Sequence, residues 1–280
     1  MNTIDSITSS VMLPGDVAMP RLGLGTWKSA EGDEVERAVR AALDLGYRHI
    51  DTAAIYGNEA GVGRAIRESG IDRDEIFITT KVWNDDQRLG PDAVRAALDT
   101  SLSKLGIERL DLWLVHWPVK GHWSDTWPVM EEALASGRVR AIGVSNFQVH
   151  HIEELVRSCQ VRPMVNQVEF HPQLRQPELM ACCREHGIVH EAWSPLMQGR
   201  IGEVADIVEI AGRLDRTPAQ VVLRWNLQHG TVTIPKSVRA ERLAENAAIF
   251  DFELTEADMA TIDGLDRAER IGPHPDEITF

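Results

Sequence analysis

The chain is short of several things, and each shortage argues against a class of protein. Only three of its 280 residues are cysteine: Cys159, Cys182 and Cys183. The number is odd and two of them are adjacent, badly placed to bridge each other. A disulfide scaffold is therefore not expected, and reduced thiols in a cytoplasmic protein are. No stretch approaches the ~20 uninterrupted apolar residues of a membrane span. The opening MNTIDSITSS carries neither the basic patch nor the apolar core of a secretory signal. Positive charge is also scarce, with 29 Lys and Arg against 43 Asp and Glu and a net charge of −14. Nucleic acid and anionic membranes need a positive field, so neither is an expected partner. An anionic ligand has to be held by a local basic cluster instead. Linkers rich in Ser, Gly or Pro are missing too, so residues 1–280 read as one domain.

What is present is repetition. Short apolar runs alternate with helix-like stretches, the pattern of βαβ units in a parallel sheet. The run at Leu22–Trp27 precedes a helix over Asp33–Leu45. Runs from His49, Ile76, Leu110, Val139 and Met164 precede helices near Glu59–Glu68, Asp92–Leu105, Val129–Ser136, Val149–Ser158 and Pro177–Glu185. Two more runs start at Ile188 and Thr231, the latter followed by a helix near Ala240–Phe250. Eight units at about thirty residues each nearly fill the chain, which predicts an α/β fold, a (β/α)8 TIM barrel, rather than an open sheet. The remainder predicts additions. Val11–Met19 reads as an N-terminal β-hairpin turning at Gly15-Asp16. Two additional helices are expected near Glu203–Leu214 and Thr255–Leu265, with Thr255 as N-cap. Thr217-Pro218 opens another over Ala219–Gln228.

Several motifs lead nowhere. Gly23-Leu24-Gly25 and Gly61-Val62-Gly63 each begin like a dinucleotide fingerprint, but neither has the third glycine. Cys182 and His186 lie one helical turn apart, yet two ligands do not make a metal site. His150-His151, at a helix start, reads as polar surface. A metal-dependent hydrolase would need His and Asp ligands on several strand ends, and His116 and His171 do not supply the set. No metal is expected.

Catalytic groups of a β/α barrel stand at the C-terminal ends of strands and in the loops beyond them. Asp51, Lys81 and His116 close three successive runs, and Tyr56, one of only two tyrosines, follows Asp51 in the next loop. Together they would meet at one mouth of the barrel. The set suits carbonyl reduction, because hydride delivery to C=O leaves an alkoxide that needs a proton and a polarising hydrogen bond. A lysine beside the phenol would lower its pKa, and an aspartate would fix the lysine. A neutral histidine would orient the substrate oxygen. The alternative is a structural Asp51–Lys81 ion pair with Tyr56 and His116 capping the barrel.

The runs Gly46–Ala53, Tyr56–Glu59, Lys81–Trp83, Leu114–Pro118, Gly143–Phe147 and Ile234–Ser237 resemble those of the aldo-keto reductase family, in order and over nearly the whole chain. The resemblance implies an NADP(H)-dependent oxidoreductase in which Asp51, Tyr56, Lys81 and His116 form the catalytic tetrad and Tyr56 is the general acid. A glutamate in place of His116 would have implied steroid double-bond reduction. The resemblance also implies cofactor contacts. Ser145, Asn146 and Gln167 match positions on the nicotinamide carboxamide, and Trp193 stands where many relatives stack a tyrosine. Ser194, Pro195 and Leu196 would follow the pyrophosphate. Lys236, Ser237, Val238, Arg239 and Arg242 would hold the 2′-phosphate end, and Glu245 and Asn246 the adenine. Gly25, Thr26 and Trp27 complete the set.

Trp27, Trp83 and Trp117, with Tyr56 and His116, are the expected substrate walls, and the segment 271–280 is expected to fold over the mouth. The loops after Lys81 and Trp193 are shorter than in mammalian relatives, resembling the bacterial branch that includes 2,5-diketo-D-gluconate reductases. Small keto sugars, dicarbonyls and keto acids are accordingly the expected substrates, and the chain is expected to be a monomer. A non-catalytic NADP(H)-binding regulatory subunit of the same fold is the rival reading, and the intact tetrad weighs against it.

Overall fold

In the computed structural model, which describes residues 4–280, eight parallel strands follow one another around a ring. They are β3 (Leu24–Gly25), β4 (His49–Asp51), β5 (Phe77–Val82), β6 (Leu110–Val115), β7 (Val139–Ser145), β8 (Val165–Glu169), β9 (Val189–Trp193) and β10 (Val232–Thr233). Parallel bridges from Leu22 to Thr233 and from Gly25 to Lys236 join the first strand to the last. A Cβ on Gly25 would lie 2.7 Å from the Ile234 carbonyl oxygen, so only glycine allows that approach. Ahead of the ring, β1 (Ser10–Leu13) and β2 (Val17–Pro20) pair antiparallel. Their turn holds Gly15 and Asp16 at φ 78 and 58, the left-handed pair that a tight hairpin requires. The fold is the expected (β/α)8 barrel with its N-terminal hairpin.

Strand alternation sorts the side chains into an inner and an outer set. Inward-facing Phe77, Leu112, Leu114, Ala141, Val165 and Val232 pack against Leu13, Val17 and Met19, so the hairpin plugs the N-terminal end of the barrel. Outward-facing Ile50, Ile78, Trp113, Val115, Ile142 and Val144 pack under the surrounding helices. Each such side chain contributes about 1.5–3 kcal/mol by leaving water. The apolar plug stops partway along the axis. Above it the inward positions turn polar, and there the candidate site begins.

The helices are α1 (Asp33–Asp44), α2 (Glu59–Glu68), α3 (Asn84–Leu89), α4 (Pro91–Leu105), α5 (Trp123–Ala135), α6 (Val149–Ser158), α7 (Pro177–Glu185), α8 (Ala205–Leu214), α9 (Pro218–Gln228), α10 (Ala240–Ala247) and α11 (Glu256–Asp263). α8 and α11 are the two additions. Thr217 and Thr255 cap α9 and α11, accepting from Gln220 N and Asp258 N at 3.2 Å each. Three details differ from the sequence reading. α5 begins six residues before Val129, because Trp123 and Trp127 bury one turn apart and carry the helix through Pro128. α3 was not anticipated; its polar run NDDQRL has no apolar period. α10 stops at Ala247, and Ile249 leaves the helix to bury in the core. Gly63 is explained by packing, since a Cβ there would meet the Leu105 carbonyl oxygen at 2.1 Å.

Candidate active site

Asp51 ends β4, and Lys81 is the last residue but one of β5. The strands are staggered, so Asp51 pairs in register with Thr79 and its carboxylate reaches the lysine two residues on. Lys81 Nζ donates to Asp51 Oδ1 at 2.7 Å, Asp51 Oδ2 at 2.8 Å and the Thr52 carbonyl at 2.9 Å. Three acceptors answer the three hydrogens of a wholly buried ammonium. Burial works against that charge, but Asp51 and Tyr56 outweigh it and hold Lys81 above its ordinary value. Burial also pushes the Asp51 carboxyl upward, against Lys81 and the Gln167 amide. With an ammonium on both oxygens, Asp51 is the carboxylate of the pair.

Tyr56 closes a 3-10 turn at Ala54–Tyr56 in the loop after β4. Asn58 braces that loop: Nδ2 donates to the Thr26 and Ser29 carbonyls at 2.9 and 3.1 Å, and Oδ1 accepts from Thr52 Oγ1 at 2.7 Å. Thr26 donates to the Asp51 carbonyl from both its backbone N–H and Oγ1, at 3.0 and 2.9 Å. The Tyr56 ring centre lies 5.2 Å from Lys81 Nζ and 5.7 Å from the His116 ring, edge-on. Burial pushes the Tyr56 phenol up to about 12, with Lys81 pulling it down. The neighbouring lysine by itself would bring the phenol below its ordinary value; here desolvation outweighs it. Burial, then the nearby Lys81 charge, takes His116 well below the usual histidine range, so its imidazole is neutral. Among the described residues His116 Nδ1, which is buried, has no hydrogen-bond partner.

Beyond His116 lie flat apolar walls. Trp83 stands edge-on to His116 at 5.1 Å, Trp117 stacks on it at 6.4 Å, and Phe280 contacts both tryptophans at 5.9 and 5.5 Å. Asn84 and Arg88, from the unanticipated α3, donate to the Phe280 main-chain oxygen at 3.1 and 2.6 Å. The segment 271–280 thus crosses the mouth as expected. Buried Glu169 anchors its other end, accepting from Ile271 N at 2.6 Å. Trp27 is 43% exposed, and Lys28 Nζ lies 4.2 Å from the centre of its ring.

The opposite side of the mouth is built by the ends of β7 to β9. Ser145 Oγ donates to the Gln167 carbonyl at 2.8 Å. Asn146, at φ 65, donates from Nδ2 to the His116 carbonyl and Ser145 Oγ, and its Oδ1 accepts from Trp193 Nε1 at 2.8 Å. A tyrosine ring has no N–H at that place. Gln167 Nε2 donates to Asp51 Oδ2 at 2.7 Å and to Glu191 Oε2 at 3.0 Å. Among the described residues its Oε1 receives no hydrogen bond and is free for an amide N–H. Lys236, Arg239 and Arg242 are exposed beyond β10. The two arginines meet Glu241 and Glu245 only at 3.9 and 4.0 Å, so all three cations are available to an anion. Glu245 is tied to Thr217 Oγ1 at 2.6 Å, and Asn246 is buried. Free amide oxygen, indole face and loosely paired cations fit a carboxamide-bearing ring at one end and a phosphate at the other.

His150-His151 is more than polar surface. His151 is buried, its Nδ1 accepts from Gln148 N at 3.1 Å, and both Nε2 atoms face Asp276 at 3.2 and 3.4 Å. An Nδ1 that accepts leaves the proton of the neutral ring on Nε2, where His151 donates to the carboxylate rather than to a cation.

The family model for the Aldo/keto reductase family matches residues 21–267. The chain is 53% identical over 275 residues to the glyoxal reductase of Bacillus subtilis (strain 168), covering 98% of this chain and 99% of that one. Identity to the methylglyoxal reductase DkgA of Salmonella typhimurium is 47%, over 93% of this chain and 94% of that one. The structure of a Gox0644 mutant in complex with NADPH superimposes with a TM-score of 0.92 at 42% identity, covering 98% and 99% of the two chains. The chain belongs to the aldo/keto reductase family. It is an NADP(H)-dependent oxidoreductase of the carbonyl-reducing kind.

Proposed function

We propose that the protein reduces small aldehydes and 1,2-dicarbonyls to alcohols with NADPH, Tyr56 supplying the proton. One observation carries the reading: a buried Lys81–Asp51 pair beside a phenol and a neutral imidazole, with the aromatic rings of Trp83 and Trp117 against that imidazole. Bound NADPH supplies a hydride to the carbonyl carbon. The chain does the rest. His116, whose charged form burial and the nearby Lys81 disfavour, directs the carbonyl oxygen toward Tyr56. As negative charge grows on that oxygen, the Tyr56 Oη proton moves to it, and Lys81 stabilises the phenolate left behind until solvent reprotonates it. Asp51 holds Lys81 in place and offsets its burial.

For the cofactor, Ser145, Asn146 and Gln167 would hold the carboxamide and Trp193 would cover the ring. Ser194, Pro195 and Leu196 would lie along the pyrophosphate. Lys236, Ser237, Val238, Arg239 and Arg242 would take the 2′-phosphate, with Glu245 and Asn246 at the adenine. Gly25, Thr26 and Trp27 would border the nicotinamide side.

Two features support small substrates. Relatives at about half identity are named glyoxal and methylglyoxal reductases. The Phe280 ring packs 5.9 Å from Trp83 and 5.5 Å from Trp117, and these flat apolar surfaces beside His116 suit a small carbonyl compound. The test is NADPH oxidation with glyoxal, methylglyoxal, a keto sugar and a bulky steroid ketone. Dicarbonyls turning over at least tenfold more efficiently than the steroid are expected; the reverse order would overturn the substrate reading.

A further inference from the structure

The polar floor of the barrel holds one acid more than it has cations. Lys81 is the cation there, and its carboxylate contacts both go to Asp51. Glu191, the middle residue of β9, is wholly buried. Among the described residues its nearest basic group is His49, whose Nε2 lies 3.7 Å from Glu191 Oε1. His49 Nδ1 faces the Pro20 carbonyl at 3.3 Å and must donate to it, so Nε2 carries no proton. Burial takes His49 down to about 3, and it gives no positive charge. Among the described residues Glu191 Oε1 has no hydrogen-bond partner, while Oε2 accepts from Gln167. A dry carboxyl with no cation of its own stays protonated.

Gln167 links the two acids. One Nε2 hydrogen goes to Asp51 and the other to Glu191, leaving Oε1 as the only group the amide can offer a ligand. We propose that Glu191 is a positioning residue: as the neutral acid it fixes, with Asp51, the Gln167 amide whose oxygen receives the nicotinamide carboxamide, and its ionisation converts the site to a slower form. This rests on the reading that Gln167 faces the cofactor.

The groups around Glu191 set the direction. β4 brings His49 and Asp51, β5 brings Lys81, β8 brings Gln167, and Tyr56 lies above; β10 brings only uncharged Val232 and Thr233. Burial pushes Glu191 up to about 8, Asp51 adds to the rise, and the Gln167 hydrogen bond and Lys81 oppose it. A second carboxylate would raise the Tyr56 phenol further, making it a poorer acid. Reduction therefore slows as pH rises through the Glu191 ionisation.

The experiment measures single-turnover reduction at saturating NADPH against pH for the parent and Glu191→Gln, each profile scaled to its own maximum. NADPH affinity at pH 7 is read by fluorescence for both and for Glu191→Leu. The parent is expected to fall to about a tenth of its maximum one pH unit above the ionisation. Glu191→Gln should keep more than half of its maximum there. Glu191→Leu, which offers no acceptor to Gln167, should weaken NADPH about fivefold, and Glu191→Gln should restore binding. Superimposed profiles for the parent and Glu191→Gln would overturn the proposal, with or without a folded leucine variant. A parent that neither binds nor oxidises NADPH would overturn the functional reading first, and this proposal with it.

Discussion

Lys81 Nζ donates to both carboxylate oxygens of Asp51, at 2.7 and 2.8 Å, and no part of the lysine is exposed. A buried pair of this kind is costly to break, because whichever partner remains keeps an uncompensated charge. Lys81→Met should lower reduction by about 10²–10⁴-fold, since Tyr56 loses the charge that pulls its pKa down. It should also destabilise the fold by about 3–5 kcal/mol, visible in a denaturation midpoint. A methionine variant with parental turnover would make the pair purely structural.

Cofactor choice is tested at the far end of the mouth. Neutralising Lys236 and Arg242 together should raise the dissociation constant for NADPH about a hundredfold more than that for NADH, from charge-assisted hydrogen bonds of about 1.5–3 kcal/mol each. Both groups are exposed, so salt screens them and the gap should narrow at high ionic strength. Equal weakening toward both cofactors would assign these residues to the pyrophosphate or the loop.

Trp193 Nε1 donates to Asn146 Oδ1 at 2.8 Å, and Asn146 in turn holds the His116 carbonyl. Trp193→Phe keeps a stacking face and removes the donor. It should weaken NADPH about fivefold, the loss of one hydrogen bond of about 1 kcal/mol, by titration at neutral pH. Unchanged affinity would confine the indole N–H to packing.

Stability should carry a signature of Glu191. Its folded pKa is raised above that of the unfolded chain, so its contribution is full below the unfolded value and is lost as pH rises through the folded one. Between the two, each pH unit removes up to about 1.4 kcal/mol. The urea midpoint of the parent should fall from pH 6 to pH 9 more steeply than that of Glu191→Gln. Parallel curves would mean that Glu191 is not protonated in the folded protein.

The barrel and the tetrad positions were legible because strand ends announce themselves: Asp51, Lys81 and His116 each interrupt an apolar run one repeat apart. Glu191 was hidden by the same logic, since it sits mid-strand in IVHEAWSP with no motif around it. Its register could have exposed it. Glu191 pairs with Gln167, and Gln167 with Ser145, so an acid there points into a barrel already holding Asp51. α3 had no apolar period to mark it, and its Arg88–Phe280 contact joins residues 192 positions apart, beyond any local pattern. α5 extends six residues further toward the N-terminus than the expected Val129–Ser136, because Trp123 and Trp127 bury one turn apart and the helix runs through Pro128.

The central claim is that the Tyr56 phenol gives the proton. Tyr56→Phe removes one oxygen from a half-buried ring and leaves the Lys81–Asp51 pair and the Asn146–Trp193 contact their partners. The direct measurement is NADPH-dependent reduction of methylglyoxal by Tyr56→Phe, alongside its NADPH dissociation constant. We expect turnover to fall by about 10²–10⁴-fold with the dissociation constant within threefold of the parent. Turnover within tenfold of the parent would show that another group supplies the proton and would contradict the account.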